Sequence, residues 1–413
     1  MDRKQLIVDK EQLLKDWDIK TLDELCEIAR GGSPRPIQAF LTNDIDSINW
    51  IKISDASASS KYICKTKEKI KPDGIKRSRM VNEGDFILSN SMSFGRPYIM
   101  KISGCIHDGW LVLKDKSGLF DQDYLYYYLG SNTTYKQFDL LASGSTVRNL
   151  NIDLVRGVKV TLPPIDEQKR IVAILDETFE RIDQAIRNTE KNLANARELF
   201  ESYLNFKLLP VASGHLIQTL ASITDLIVDC EHKTAPTQEI GIPSIRTPNI
   251  GKGYLIFDNV NRVSEETYEL WTKRAKPISG DLILAREAPA GNVGIIPEGE
   301  RVCLGQRTVL IRPKKNRIDS QFLAFLLLHP LIQKRLLAKS TGATVQHVNM
   351  KDIRELKLSE LPSIQTQQKL TKELEDLRSQ GDRLETIYRQ KIAALNELKQ
   401  SILQKAFTGQ LTK

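Results

Sequence analysis

From Asp166 to about Lys207, apolar residues recur in two interleaved strings of period seven. One string holds Val172, Phe179, Ile186, Leu193 and Phe200; the other holds Leu175, Ile182, Ala196 and Tyr203, with Thr189 as its polar member. Offsets of three and four between the strings make the seam of a coiled coil, and neither Gly nor Pro interrupts it. About forty residues at 1.5 Å of rise predict a helix of roughly 60 Å, longer than a globular domain needs. The pattern returns between Gln365 and about Phe407. There Leu374, Tyr388, Leu395 and Ile402 form one string, and Leu370, Leu377, Leu384 and Leu398 the other, with Gly381 as a candidate bend. Each apolar stripe needs covering. The economical solution packs the helices on each other, antiparallel, with a globular domain at either end; the alternative lays each stripe on its own domain, and the length argues against it.

Outside the helices the texture is that of short strands between Gly, Pro, Asn and Asp. Ile48–Ile53, Asp85–Leu88 and Gly109–Leu113 read as strands of a first domain, followed by helix from Asp121 to Leu141. Tyr124, Tyr126, Tyr127, Tyr128 and Tyr135 are spaced as helix core, although stacking faces are the alternative. Pro210–Gly214 reads as a short linker. Beyond it Pro243–Asn249, Asp281–Arg286 and Arg307–Ile311 read as strands and Ile318–Ala338 as helix. The expected class is α+β, with an irregular, largely antiparallel sheet in each domain.

The second half restates the first. Gly84-Asp85-Phe86-Ile87-Leu88 returns as Gly280-Asp281-Leu282-Ile283-Leu284, and Gly144-Ser145-Thr146-Val147 as Gly342-Ala343-Thr344-Val345. Leu162-Pro163-Pro164-Ile165-Asp166-Glu167-Gln168 is echoed by Leu361-Pro362-Ser363-Ile364-Gln365-Thr366-Gln367, and Glu198-Leu199 by Glu397-Leu398. Steps of 196 to 199 residues mark a domain-sized repeat rather than a solenoid. The expected layout is a globular domain over 1–160, a long helix over 161–208, a second domain over 209–360, and a second helix with tail over 361–413. Two similar halves can be related by a pseudo-two-fold axis, a symmetry that B-form DNA shares.

Composition is that of a folded protein of 413 residues, too long for one ordinary core. The longest apolar run, Phe322–Leu328, is too short for a membrane span and Met1–Lys20 lacks a signal-peptide pattern, so a cytoplasmic location without membrane contact is expected. The cysteines Cys26, Cys64, Cys105, Cys230 and Cys303 are scattered, which fits reduced, mostly buried thiols. Asp229-Cys230-Glu231-His232 offers metal donors but has no second cluster to complete a tetrahedral set. Net charge is +8, and much of the excess lies between Lys61 and Arg79, where eight basic residues face Glu68 and Asp73. Such clustering is what phosphate binding requires; a solvated lysine-rich loop is the alternative.

Catalytic patterns are missing: no Walker loop, dinucleotide fingerprint, HExxH, GxSxG or Asn-Pro-Pro-aromatic motif occurs. No catalytic residue, metal ligand or cofactor site is expected in this chain. What remains is a set of donors and acceptors suited to groove readout. In the first half these are Arg35, Lys52, Ser54, Lys67, Lys69, Lys71, Asn90, Arg96, Thr146 and Arg148. In the second they are His232, Lys233, Arg246, Thr247, Asn249, Arg286, Asn292, Arg307, Thr344 and Gln346. Ordinary turn chemistry accounts for many such residues. The repeat, however, keeps scaffold residues while changing polar ones: Asn90 against Arg286, Arg96 against Asn292, Arg148 against Gln346. One frame with two polar faces would read two different sequences.

The order domain, helix, domain, helix resembles the specificity subunit of type I restriction-modification systems over essentially the whole chain. The local matches are Leu162-Pro163-Pro164-Ile165 through Glu167-Gln168-Lys169-Arg170-Ile171-Val172, its weaker copy at Leu361-Pro362-Ser363-Ile364, and the closing Leu403-Gln404-Lys405-Ala406-Phe407-Thr408-Gly409-Gln410-Leu411. The resemblance implies a double-stranded, bipartite DNA target, one half per domain, with helices setting the unread spacer. It implies two modification (methyltransferase) subunits as partners, and restriction/translocase subunits in the full complex. S-adenosylmethionine, ATP and Mg would belong to those partners. A self-contained DNA methyltransferase or nuclease, and a structural or RNA-binding coiled-coil protein, are the competing readings.

Overall fold

The computed structural model describes residues 17–57, 59, 61–90, 95–142, 150–338 and 347–411. The chain divides into two compact units, one comprising 1–189 with 390–413 and the other 190–389.

The first unit is built on a five-stranded sheet ordered Cys26–Arg30, Trp110–Asp115, Phe86–Ser89, Pro97–Met100, Tyr62–Ile63. It is antiparallel except for its last pair. Both faces of this sheet are buried, which is why its strands read as continuous apolar runs rather than alternating ones. Trp110, Val112, Ile87 and Tyr98 point into one cluster, while Leu111, Leu113, Phe86 and Leu88 point into another. The second cluster is covered by Tyr124 and Leu125 of the helix Gln122–Leu129, by Ile171 and Leu175 of the first long helix, and by Leu403, Ala406 and Phe407 near the end of the second. A four-stranded sheet, Glu68–Ile70, Ile48–Ile51, Gly104–Ile106, Arg79–Val81, carries the basic segment.

The second unit repeats the plan. Its sheet runs Thr224–Asp229, Thr308–Pro313, Leu282–Ala285, Val293–Ile295, all antiparallel. Leu282, Leu284, Val309 and Ile311 pack on Phe322 and Phe325 of the helix Ser320–Leu328, and on Leu204, Leu208, Ala212 and Leu374 of the long helices. Each fully buried side chain of this size contributes about 1.5–3 kcal/mol relative to exposure. In both units the globular part grips the beginning of one long helix and the end of the other.

The long helices span Ile165–Ser213 and Ile364–Ala406. Within each unit they run antiparallel, because partners rise in number on one helix as they fall on the other. Arg197 Nε meets Glu385 Oε2 at 3.1 Å and Lys207 Nζ meets Glu373 at 2.9 Å in the second unit. In the first unit Asp183 pairs with Lys399, whose Nζ also lies 5.3 Å from the Phe179 ring centre. The expected seam residues Val172, Leu175, Ile182 and Leu374 are buried, and Phe179, Ile186, Leu193, Leu377, Leu395 and Ile402 half-buried.

Leu384 and Leu398 depart from the expected seam, at 39 % and 46 % exposed; the first departure has a local cause. Gly381 and the ion-paired Glu385 take the inward face there, and a Cβ built at Gly381 would lie 3.9 Å from the Ala196 carbonyl oxygen. The helix runs on through Gly381 without a break. The expected linker Pro210–Gly214 is also helical as far as Ser213. Buried Leu208 and Ala212 hold that turn in place, and Ser213 Oγ donates to Leu209 O at 2.7 Å. The expected helices Asp121–Leu141 and Ile318–Ala338 are each two helices, broken at Gly130-Ser131 and at His329. At the second break Pro330, lacking an N–H, opens a new helix.

Candidate nucleic-acid interface

Strand register places equivalent residues of the two units at equivalent points. Arg30 pairs with Leu111 where Asp229 pairs with Val309, and Ser89 pairs with Trp110 where Ala285 pairs with Thr308. The residues just beyond, Asn90 and Asp108 in the first unit, Arg286 and Gln306 in the second, therefore occupy matching sites at the sheet end. The backbone repeats too. Asn90 N donates to Gly109 O and Arg286 N to Arg307 O; Leu150 N donates to Asn90 O and Val348 N to Arg286 O.

In the second unit the side chains form a chain of charged groups. Arg286, buried at 8 % exposure, donates through Nη1 to Asp229 at 2.7 Å, through Nε to Val348 O at 2.9 Å, and through Nη2 to His347 Nε2 at 2.8 Å. Because a guanidinium only donates, His347 Nε2 accepts, and its proton sits on Nδ1, which donates to Glu287 Oε1 at 2.6 Å. Glu287 Oε2 in turn forms an ion pair with Arg307, whose Nε lies 2.9 Å away. His232 and Gln306 complete the wall of a cleft of about 370 Å³. Arg307 has φ +65°, the left-handed region, at a cost of roughly 1–2 kcal/mol for a residue with a Cβ. Its side chain is 61 % exposed. An ion pair in that setting contributes about 0.2–1 kcal/mol, too little to account for the backbone conformation.

The first unit fills the matching place differently. Ser33 Oγ donates to Asp108 Oδ1 at 2.8 Å, Arg35 lies 3.7 Å from Oδ2, and both Arg30 Nε and Asn90 Nδ2 donate to Asp108 O. The Ser33 hydrogen bond, helped by His107 and Arg35, holds the Asp108 carboxyl below the usual range. Burial keeps the neighbouring His107 neutral by lowering its pKa, and its Nδ1 accepts from Gly109 N at 2.8 Å. Ser33, Arg35, His107 and Asp108, together with Lys52, Ser54, Trp50 and Glu68, line a cleft of about 460 Å³.

The residues expected to bind thus fall into separate environments. Arg35, Lys52 and Ser54 share the first cleft; His232, Arg286 and Arg307 share the second. Lys67, Lys69 and Lys71 are exposed on and beside the edge strand Glu68–Ile70, and the Glu68 carboxylate is taken by Lys52 at 2.6 Å. Asn90 is 4 % exposed and Arg96 stacks over Tyr98 at 5.2 Å. Lys233 and Arg246 are exposed, while Thr247 and Asn249 are buried in a short turn where Asn249 Oδ1 accepts from Arg246 N. Asn292 donates to Ile250 O at 2.9 Å, in a groove of about 410 Å³ beside Phe200, Tyr254 and Arg378. Thr146, Arg148, Thr344 and Gln346 lie outside the described residues. Ser33 lies in the polar run Arg30–Arg35 that the sequence singles out, whereas Asp108 and His107 were not among the expected residues; aligning Trp110–Asp115 on Thr308–Pro313 is the signal that finds Asp108. Among the thiols, Cys64 alone is exposed, and Asp229 of the possible metal-donor run is taken by Arg286.

A family model for the type I restriction modification DNA specificity domain matches residues 14–194 and 231–396. Among curated relatives, the type I restriction enzyme EcoBI specificity subunit of Escherichia coli is 26 % identical over 299 residues, 65 % of this chain and 62 % of its own length. The MjaVIII specificity subunit of Methanocaldococcus jannaschii is 21 % identical over 414 residues, 96 % of this chain and 93 % of its own. The fold is shared with a chain solved in work on complex assembly and conformational transition of the type I R-M system, at TM-score 0.73 and 20 % identity over 96 % of this chain and 98 % of that one. It is shared also with the HsdS subunit from Thermoanaerobacter tengcongensis, at TM-score 0.56 and 19 % identity over 96 % and 97 %. With the family model covering both units, the chain belongs to the type I restriction-modification DNA specificity family.

Proposed function

We propose that this chain reads a bipartite double-stranded DNA target, one half-site in each unit. The two long helices set the number of unread base pairs between the half-sites. In this reading the chain recruits two modification subunits, which use S-adenosylmethionine to methylate adenine, and restriction/translocase subunits that use ATP and Mg. Catalysis then lies in those partners.

The observation that carries the reading is one sheet frame built twice with unlike polar groups at its end. Asn90, Asp108 and Ser33 stand in the first unit where Arg286, His347 and Arg307 cluster in the second. Unlike donor and acceptor sets on one scaffold suit unlike base sequences.

The test is methylation sequencing of the genome of a methyl-deficient host expressing the chain with a candidate modification subunit, against the same host lacking the chain. Adenine methylation at one split motif, present only with the chain, is the expected result. No motif despite verified expression and assembly of both partners rejects the proposal.

A further inference from the structure

Arg307 differs from the other basic residues of the second cleft in how it is held. Its Nε is fixed by Glu287 at 2.9 Å, while its side chain remains 61 % exposed. Glu287 is itself only 16 % exposed and is fixed by His347, which accepts from the buried Arg286. A carboxylate held at one end by a part-buried chain of hydrogen bonds makes a firm seat for the guanidinium. With Nε at the Glu287 carboxylate, the two terminal nitrogens remain as a planar pair of donors. That pair matches two adjacent acceptors in one plane, and in the DNA major groove O6 and N7 of guanine supply them. The left-handed backbone at Arg307 lifts this one residue out of line with the strand Thr308–Pro313 that follows it. In the first unit the matching residue is Gly109, which has no side chain to present.

We infer that Arg307 reads a guanine in the half-site of the second unit, and that Glu287, held by His347 and Arg286, is the positioning residue that aims it. This rests on the DNA-reading function proposed above and assigns one base of its target. Arg286 then supports recognition without touching the base, because its donors are already committed to Asp229, Val348 O and His347.

The experiment is methylation by the full chain assembled with its modification subunit, on duplexes in which each position of the split target is randomised in turn. Arg307→Gly is the informative variant, since glycine adopts φ +65° without strain and folding is spared. Wild type is expected to demand guanine at one position, and Arg307→Gly to lose that demand about ten- to a hundredfold while every other position stays as before. Glu287→Ala is expected to relax the same position and no other. The inference is overturned if wild type demands no guanine in that half-site. It is equally overturned if either variant lowers methylation evenly over all sequences, as loss of a merely structural pair would do. A wild-type assembly that methylates no split motif at all rejects the DNA-reading function as well, which separates the two failures.

Discussion

Gln168 and Gln367 occupy the same step of the repeat, and both are fully buried. Gln168 Oε1 accepts from Asp121 N at 2.7 Å while its Nε2 donates to Leu119 O and Pro163 O. Gln367 does the same with Asp319 N at 2.9 Å, Arg317 O and Pro362 O. Asp121 and Asp319 cap the N-termini of the helices Gln122–Leu129 and Ser320–Leu328. Each glutamine therefore ties the opening turn of a long helix to the opening turn of a domain helix, and it satisfies three backbone groups in and around those turns. A buried backbone group left without a partner costs about 1–3 kcal/mol, so Gln168→Ala is expected to destabilise the first unit by roughly 3 kcal/mol after some relaxation. Gln168→Glu should be nearly as harmful, since a carboxylate keeps the acceptor but cannot donate to the two carbonyls. Urea unfolding of the full chain, followed by tryptophan fluorescence, measures this; destabilisation under about 0.5 kcal/mol for both variants, the range of an ordinary surface substitution, would contradict it.

Among the elements, the break at His329 shows what sequence pattern conveys and what it omits. The strands Phe86–Ser89 and Trp110–Asp115, with their counterparts, are legible because a sheet buried on both faces must be apolar throughout. The long helices are legible because one seam repeats every seven residues. The helix from Ile318 to Ala338 looks continuous in composition, yet Pro330 splits it, and Ala212 holds a helical turn where Pro210 suggests a linker. In both places tertiary burial decides between readings that local preference leaves open. The cleft is less legible still. Arg286 lies 57 residues from Asp229 and 61 from His347 along the chain, and only strand register unites them.

His329 itself is 2 % exposed, with Nδ1 accepting from Leu331 N and Nε2 bonded to Asn205 O on the first long helix. Burial, aided by Arg335, lowers its pKa, so the folded chain holds it neutral. Unfolded, it takes up a proton near pH 6.5. The folded state thus binds fewer protons, and its contribution to stability is complete above about pH 6.5 and is lost as pH falls toward the lower folded value. Replacing His329 with Asn keeps a helix cap and removes the titration. The denaturation midpoint of wild type should therefore fall further between about pH 7.5 and pH 5.5, a window that brackets the unfolded value, than that of His329→Asn. Equal falls would show that His329 does not govern this pH response, since His107, also buried and neutral, titrates in both proteins.

At the scale of the whole molecule, charge placement divides general affinity from sequence choice. The +8 net charge is modest, but the segment around the edge strand Glu68–Ile70 presents Lys65, Lys67, Lys69 and Lys71 to solvent, and Lys76, Arg77 and Arg79 follow. The clefts are nearly neutral by comparison, because Asp229, Glu287 and Asp108 offset their cations. Phosphate binding releases counterions and sets the salt dependence of affinity, whereas base recognition sets preference at single positions. Replacing Lys67, Lys69 and Lys71 together with Ala is therefore expected to weaken binding to every duplex by a similar factor. The slope of log K against log salt should become shallower by about 0.9 for each phosphate that is no longer neutralised. Titrations at several salt concentrations, on a duplex bearing the methylated motif and on one with that motif scrambled, read both quantities. If the slope is unchanged, this basic segment lies away from the DNA; if only the motif-bearing duplex is affected, the lysines act on bases, and the division between basic segment and cleft is wrong.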